Sequence, residues 1–248
     1  MVHTAIQLYT LRHIDEPLPT VLDAVGETDF NGVEFANRVR ESDPEAIENA
    51  LARTGLDAAS PHVALDTLED DPEATMALYD RLGCETLIVP YLDPERFESA
   101  ASVSAVADRL QDVAKTVAER GFELQYHNHD HEFVPCGEHT AMDELLEATD
   151  ERVGFELDAG WANAGGVDPA ELLDRYGDRI SHVHFADADA SGAATELGEG
   201  DLDVERTADA ARQAGVEWYV YEHDEPTDPH ESLEHGAELL ADLRDRSD

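Results

Sequence analysis

Lysine is almost absent from this chain of 248 residues. Lys115 is the single example, and the other 15 of the 16 basic residues are arginines. Against them stand 58 aspartates and glutamates, giving a formal charge of -42. That balance argues against a nucleic acid partner, because phosphate backbones need a positive surface. Cysteine is scarce as well. Cys84 and Cys136 are too few for a disulfide framework and read as free thiols. No apolar run reaches the roughly 18 residues of a membrane span. The start, Met1-Val2-His3-Thr4, lacks the basic and apolar segments of a signal peptide, so a cytoplasmic location is expected. No Gly-x-Gly-x-x-Gly follows the first strand-like segment, and no phosphate-loop motif occurs.

The acids are spread along the chain, with local clusters at residues 43–45, 69–73 and 224–228. A disordered acidic chain would lack regular apolar runs, whereas 42% of these residues are hydrophobic and recur rhythmically. A folded domain this repulsive needs screening by salt. The composition resembles that of proteins from salt-accumulating halophilic archaea. A homo-oligomer is left open.

The rhythm is strand, polar loop, helix, glycine. Strands are predicted at 5–9, 32–35, 56–62, 86–90, 122–127, 153–158, 180–185 and 216–222. Helices are predicted at 18–28, 44–53, 72–82, 97–120, 140–148, 169–176, 204–214 and 229–243, with the last few residues fraying. Gly55, Gly83, Gly121, Gly177 and Gly215 stand where helices end. Eight units in this length fit one α/β domain over 1–248, a (β/α)8 TIM barrel, with a doubly wound open sheet as the alternative. The long connections at 129–139 and 187–203 are expected to cover a site.

Imidazoles and carboxylates collect at the carboxyl ends of the later strands, where such a barrel places its chemistry. Asp158 ends the sixth strand, as a metal ligand or as the cap of the next helix. His182 and His184 share one face of the seventh. His184 reads as a ligand, and His182 as a supporting residue one layer deeper. Glu222 ends the eighth strand, placed to bridge metal and substrate or to exchange a proton with carbon, with Asp224 as support. His127 and His129 share a face on the fifth. His127 is the preferred ligand and His129 the preferred substrate contact, although the roles can reverse. Glu132 reads as an acid behind them. Asp187 can orient His184 or bind substrate. Gln7, Tyr9, Glu34 and His62 end the first three strands and suit hydroxyl and carbonyl binding, with Trp161 as an apolar wall.

These segments resemble the sugar phosphate isomerase/epimerase family, the xylose-isomerase-like TIM barrels. The resemblance runs from Gln7-Leu8-Tyr9-Thr10-Leu11-Arg12 through Gly32-Val33-Glu34-Phe35 to Tyr126-His127-Asn128-His129-Asp130-His131-Glu132-Phe133. It continues in Phe155-Glu156-Leu157-Asp158, Trp161, His184, Asp187, Gly198-Glu199-Gly200 and Trp218-Tyr219-Val220-Tyr221-Glu222-His223-Asp224. It implies a divalent metal, manganese first, with magnesium, cobalt or zinc as alternatives. The ligand positions fall on His127, Asp158, His184 and Glu222. His127 replaces the glutamate of epimerase relatives, which argues against a symmetric two-glutamate proton exchange. Ala186 stands where many relatives carry lysine.

The resemblance further implies a small carbohydrate or polyol substrate, and a sugar isomerase or epimerase working through an enediolate. Glu222 is the first candidate for proton transfer, with His127 or Glu34 on the opposite side. The alternative is a metal-dependent dehydratase or lyase of a keto-inositol or 3-keto-glycoside.

Overall fold

A computed structural model describes residues 2–246, so the chain's last two residues, where fraying was expected, lie outside the described residues. Eight parallel strands form a nearly closed barrel. They are β1 (His3–Gln7), β2 (Gly32–Phe35), β3 (Asp57–Pro61), β4 (Thr86–Val89), β5 (Glu123–His127), β6 (Val153–Asp158), β7 (Ile180–Phe185) and β8 (Trp218–Tyr221). Their spatial order is β3-β2-β1-β8-β7-β6-β5-β4. A parallel bridge between His62 and Ile88 joins β3 to β4 across the remaining gap. The open-sheet alternative is therefore set aside.

Alternation along the strands sorts the residues. Ile6, Val33, Phe35, Leu124, Tyr126, Phe155, Leu157, Val183, Phe185, Tyr219 and Tyr221 are buried in one large apolar core. The interior of the barrel is different. Ala5, Ala59 and Val220 form a small separate apolar cluster with Trp218 packed against it. Small side chains there leave room above for the longer polar groups of the rim.

The main helices are α1 (Leu18–Val25), α2 (Pro44–Thr54), α4 (Pro72–Arg81), α5 (Ala100–Ala118), α6 (Ala141–Ala148), α8 (Pro169–Tyr176), α9 (Val204–Ala214) and α10 (Pro229–Asp245). Four of them start with an Asp-Pro pair: Asp43, Asp71, Asp168 and Asp228 each accept a backbone N–H, and the proline fills the first helical turn. Gly55 and Gly215 close α2 and α9 in the left-handed region at φ 77° and 81°. Gly177 does not. It sits at φ -59° and opens a 3-10 turn, and a Cβ there would lie 2.6 Å from that of Ala214. Close packing, rather than chain reversal, requires that glycine.

Two short helices escaped the sequence reading, α3 (Leu65–Asp70) and α7 (Ala159–Ala164). At six residues each they show too little periodicity to detect. The first strand also ends two residues early, at Gln7, because Thr10 and Leu11 turn back to the carbonyls of Gln7 and Leu8.

Among the described residues only seven acids are buried: Glu34, Glu132, Asp143, Glu156, Asp158, Asp187 and Glu222. The remaining acids keep some contact with water, and their mutual repulsion should limit stability. Thermal midpoint is therefore expected to rise between about 0.1 M and about 1 M KCl, as the screening length falls from ~10 Å to ~3 Å. A midpoint constant within about 2 °C would show that repulsion is not limiting.

Candidate metal centre

Inward alternation places His127 on β5, Asp158 on β6 and His184 on β7 at adjacent strand ends, with Glu222 just after β8. All four are buried, and one ligand atom from each lies within 4.8 Å of the others. His127 Nε2 and His184 Nδ1 each stand 3.9 Å from Asp158 Oδ2. Glu222 Oε2 is 2.9 Å from His184 Nδ1. Asp158 caps the next helix and still keeps one oxygen free. Its Oδ1 accepts the Trp161 N–H at 2.7 Å and caps α7, while its Oδ2 is buried with no hydrogen-bond partner. A buried oxygen left bare is costly unless something charged or polar meets it.

A second set of groups lies against the first. Glu156 sits two residues before Asp158 on the same inward face. Its Oε2 is 2.9 Å from both His127 Nδ1 and His62 Nε2. Glu34 Oε1 is 2.7 Å from His184 Nε2 and 2.9 Å from His62 Nε2. Glu34 also accepts hydrogen bonds from Gln7 Nε2 at 2.6 Å and from the Ser60 hydroxyl. His62, His127, Glu156 and His184 thus form an overlapping group.

The electrostatics divide the cluster. Burial opposes a charge on His62, yet the Glu34 and Glu156 carboxylates raise its pKa to about 10. Burial also opposes a charge on His184, and the same two carboxylates hold it well above the usual imidazole range. Burial pushes Asp158 well above the carboxylate range, and the nearby Glu222 charge adds to this. Burial likewise raises Glu222, but the His184 imidazole outweighs it and keeps Glu222 low. Asp224 is pushed up to about 7 by burial and by the Glu222 charge. Burial beside His127 lowers His129 to about 2, so its imidazole is neutral.

A cavity of about 360 Å³ opens onto this cluster. Tyr9, His62, His127, His129, Trp161, Glu222 and Asp224 line it, together with Tyr91, which the sequence reading missed. Tyr91 meets His129 edge-on at 5.1 Å, and Trp161 lies 5.9 Å from His129 on a tilted plane. Tyr9 and Tyr91 are among the few exposed large hydrophobic residues.

Other expected contacts fall elsewhere. Gln7 is buried and holds Glu34 instead of lining the cavity. Glu34 is itself enclosed, with both oxygens engaged, so the direct proton-transfer role expected of it is corrected to one behind the imidazoles. His127 lines the cavity, with Nδ1 engaged by Glu156 and Nε2 facing Asp158 at 3.9 Å. Asp187 is also corrected. Its carboxylate accepts the N–H groups of Ala188, Gly198, Gly200 and Leu202 at 2.9–3.1 Å, and it shapes the 187–203 loop rather than meeting substrate. Glu132 accepts from the Tyr126 hydroxyl and from the His129 N–H at 2.8 Å, fixing the His129 turn. His182 lies below the ring, bonded to Ser181 and Gln125. The sequence reading missed Glu156 as a site residue, although the same two-residue spacing that pairs His182 with His184 pairs it with Asp158.

Two imidazoles and two carboxylates form a donor set suited to a divalent transition metal, and such an ion would supply the partner that the buried Asp158 Oδ2 lacks. Residues 22–243 match the family of xylose isomerase-like TIM barrels. The chain belongs to this family. An inosose dehydratase of Geobacillus kaustophilus (strain HTA426) is 30% identical over 191 residues, a match covering 67% of this chain and 61% of that protein. The chain thus spans less than two thirds of that relative's length. The rhizopine catabolism protein MocC of Rhizobium meliloti is 31% identical over 265 residues, covering 88% of this chain and 77% of that protein. A solved sugar phosphate isomerase/epimerase from Parabacteroides distasonis ATCC 8503 superposes with a TM-score of 0.82 at 20% identity, covering 97% of this chain and 94% of that one. That last likeness speaks for the fold alone. Among the described residues no helix is long and apolar enough to cross a membrane.

Asp158→Asn separates ligand from cap, because asparagine caps a helix as well as aspartate does. The variant should keep its apo-state thermal midpoint and lose divalent-ion affinity by at least about tenfold in equilibrium dialysis with Mn2+. Equal affinity in the two proteins would remove Asp158 from the ligand set.

Proposed function

We propose that this enzyme dehydrates an uncharged cyclic keto-polyol of the keto-inositol class, with a divalent metal, manganese first, held by His127, Asp158, His184 and Glu222. The observation that carries the reading is the pairing of Glu222 with Asp224 at one wall of the cavity. Two adjacent acids with opposite pKa shifts supply a base and an acid at neutral pH. The similarity to an inosose dehydratase supports this reading over the isomerase first expected from the sequence. We further propose that the acidic, lysine-poor surface suits a salt-rich cytoplasm.

A divalent ion in this ring supplies Lewis-acid polarisation of a carbonyl and electrostatic stabilisation of the enediolate. The protein groups do the rest. Glu222, ionised, takes the proton from the carbon beside the carbonyl, and the C–H electron pair moves toward the carbonyl oxygen. That pair returns to form a carbon–carbon double bond as the neighbouring C–O bond breaks. Asp224 gives its proton to the departing hydroxyl, which leaves as water. Neutral His129 offers hydrogen bonds to ring hydroxyls, and Tyr9, Tyr91 and Trp161 provide apolar walls.

An uncharged substrate is favoured because no lysine or arginine lines the cavity. Arg12 lies 3.9 Å over the Tyr9 ring and donates to the Asp224 carbonyl and to Glu225. The backbone N–H cluster after β7, a common phosphate cradle in such barrels, is filled by Asp187.

Epimerisation is the second reading. β6 and β7 separate the strand of His129 from that of Glu222, and in this reading water on the His129 side of the mouth returns the proton.

Proton NMR in heavy water, on Mg2+-loaded protein with a panel of keto-inositols and keto sugars, separates the readings. Dehydration predicts a product lighter by one water. Glu222→Gln should lower kcat by about 10²–10⁴. Asp224→Asn should slow water loss while solvent exchange at the carbon beside the carbonyl persists. Exchange with an unchanged formula and an inverted centre would favour epimerisation, and intact dehydration in Glu222→Gln would sink the assignment of the base.

A further inference from the structure

We propose that Glu34 and Glu156 are positioning residues. They select which nitrogen of His184 and of His127 faces the candidate metal ring, and they set its affinity for a divalent cation without touching substrate.

The hydrogen bonds run in opposite senses on the two imidazoles. Glu156 Oε2 meets His127 at Nδ1, at 2.9 Å, leaving Nε2 toward Asp158. Glu34 Oε1 meets His184 at Nε2, at 2.7 Å, leaving Nδ1 toward Asp158 and Glu222. A carboxylate accepting from one ring nitrogen places the proton there and the lone pair on the other. The far nitrogens of both rings then converge on the bare Asp158 Oδ2.

The backbone is built around these two carboxylates. The parallel register slips at two places in the barrel, between Val33 and Glu34 where β2 meets β3, and between Phe155 and Glu156 where β6 meets β7. Each slip carries one extra residue on the neighbouring strand, Ala59 in the first case and Ser181 in the second. Bulges of this kind re-aim a side chain. The first sets Ser60 opposite Glu34, to which its hydroxyl donates, and the second sets His182 opposite Glu156. Both carboxylates are fully buried, and neither lines the cavity. His62 Nε2 stands 2.9 Å from each and ties them together, its ring stacked over His184 at 5.6 Å.

The overlapping group of His62, His127, Glu156 and His184 is the competing place for an ion. Its nitrogens already face carboxylate oxygens at 2.7–3.1 Å, which is direct hydrogen-bond length. Glu156 Oε1 makes no hydrogen bond, although it lies 3.1 Å from His184 Nε2. The wider 3.9 Å separations occur around Asp158 Oδ2, although within that group His184 Nδ1 also stands 2.9 Å from Glu222 Oε2. The ion therefore belongs to the Asp158 group, and Glu34 and Glu156 stand behind it.

The inference rests on the metal reading of the ring but not on any substrate. The test uses the full chain with Mn2+ affinity by equilibrium dialysis, the visible spectrum of the Co2+ form, and ring ¹⁵N NMR of the Zn2+ form. Glu156→Gln and Glu34→Gln should each weaken Mn2+ binding by about 10–100-fold, with the Co2+ coordination spectrum retained at saturation. Glutamine still accepts the ring N–H, so Glu156→Leu should lose more affinity than Glu156→Gln and leave His127 in mixed tautomers. Should the leucine variant fail to fold, the two glutamine variants and the wild-type tautomers still decide. The wild-type spectrum should show the proton on Nδ1 of His127 and on Nε2 of His184. Unchanged affinity in both glutamine variants, or the opposite tautomers, would overturn the proposal. So would Glu156→Gln abolishing binding while Asp158→Asn retains it. A wild-type chain that binds none of the three ions would remove the metal site and this proposal with it.

Discussion

Four carboxylates buried within one end of a barrel are the constraint around which the rest of this molecule is arranged. Glu34, Glu156, Asp158 and Glu222 are 0–7% exposed. Unpaired buried charges cost several kcal/mol each, so each must find a partner or a proton. The chain has almost no lysine to offer and places none of its arginines in the cavity wall. It uses imidazoles instead. His62, His127 and His184 each face at least one of the four carboxylates at hydrogen-bond distance. Histidine suits this work because it neutralises when protonated and ligates when not. Asp158 and Glu156 each keep one oxygen without a hydrogen-bond donor, but Glu156 Oε1 lies 3.1 Å from His184 Nε2, whereas the nitrogens nearest Asp158 Oδ2 stand off at 3.9 Å.

The barrel makes this arrangement affordable by separating two cores. Outward side chains of the strands join the helices in a large apolar cluster, where most of the hydrophobic stabilisation resides. The interior contributes a thin apolar layer of Ala5, Ala59 and Val220. Polar groups in the upper interior therefore displace little packing that the fold depends on. The two register slips at Glu34 and Glu156 extend the same logic to the backbone. A regular parallel ladder gives each strand a fixed inward phase, and a bulge is the device that alters it locally.

The barrel was legible from the spacing of strands, helices and helix-closing glycines, because those signals are local. The rim residues were legible because a strand's last inward position is set by alternation. His127, Asp158, His184 and Glu222 do converge, and Tyr9, His62, His129 and Trp161 do reach the cavity. Glu156 was not legible as a site residue because in a chain with 58 acids a carboxylate one layer below the rim carries little signal of its own. Asp187 was misjudged for another reason. Its partners are backbone N–H groups at Gly198, Gly200 and Leu202, more than ten residues away in a loop whose path no periodicity encodes. Gln7 and Glu34 were placed on the correct strands but given substrate, when each is closed off by neighbours across the sheet. Strand phase tells which side of the sheet a residue faces. It does not tell how deep in the barrel the residue ends, and depth decides between touching substrate and holding another side chain.

Ala186 shows how charge economy and chemistry meet. Where many relatives carry lysine, this chain has a small residue packed against α7, close enough that a Cβ on Gly160 would fall 2.5 Å from the Ala186 carbonyl oxygen. The site is left without a lysine to polarise a carbonyl, so in the proposed reaction that task falls to the bound cation. The acid must then come from elsewhere. In that proposal Asp224 carries the proton, because burial raises its pKa and the negative charge on Glu222, two residues away, adds to the rise. The surplus of acid that would be a liability at a cationic site becomes the source of a neutral one here. Two like groups in unequal surroundings divide into donor and acceptor, and no basic residue is needed to separate them.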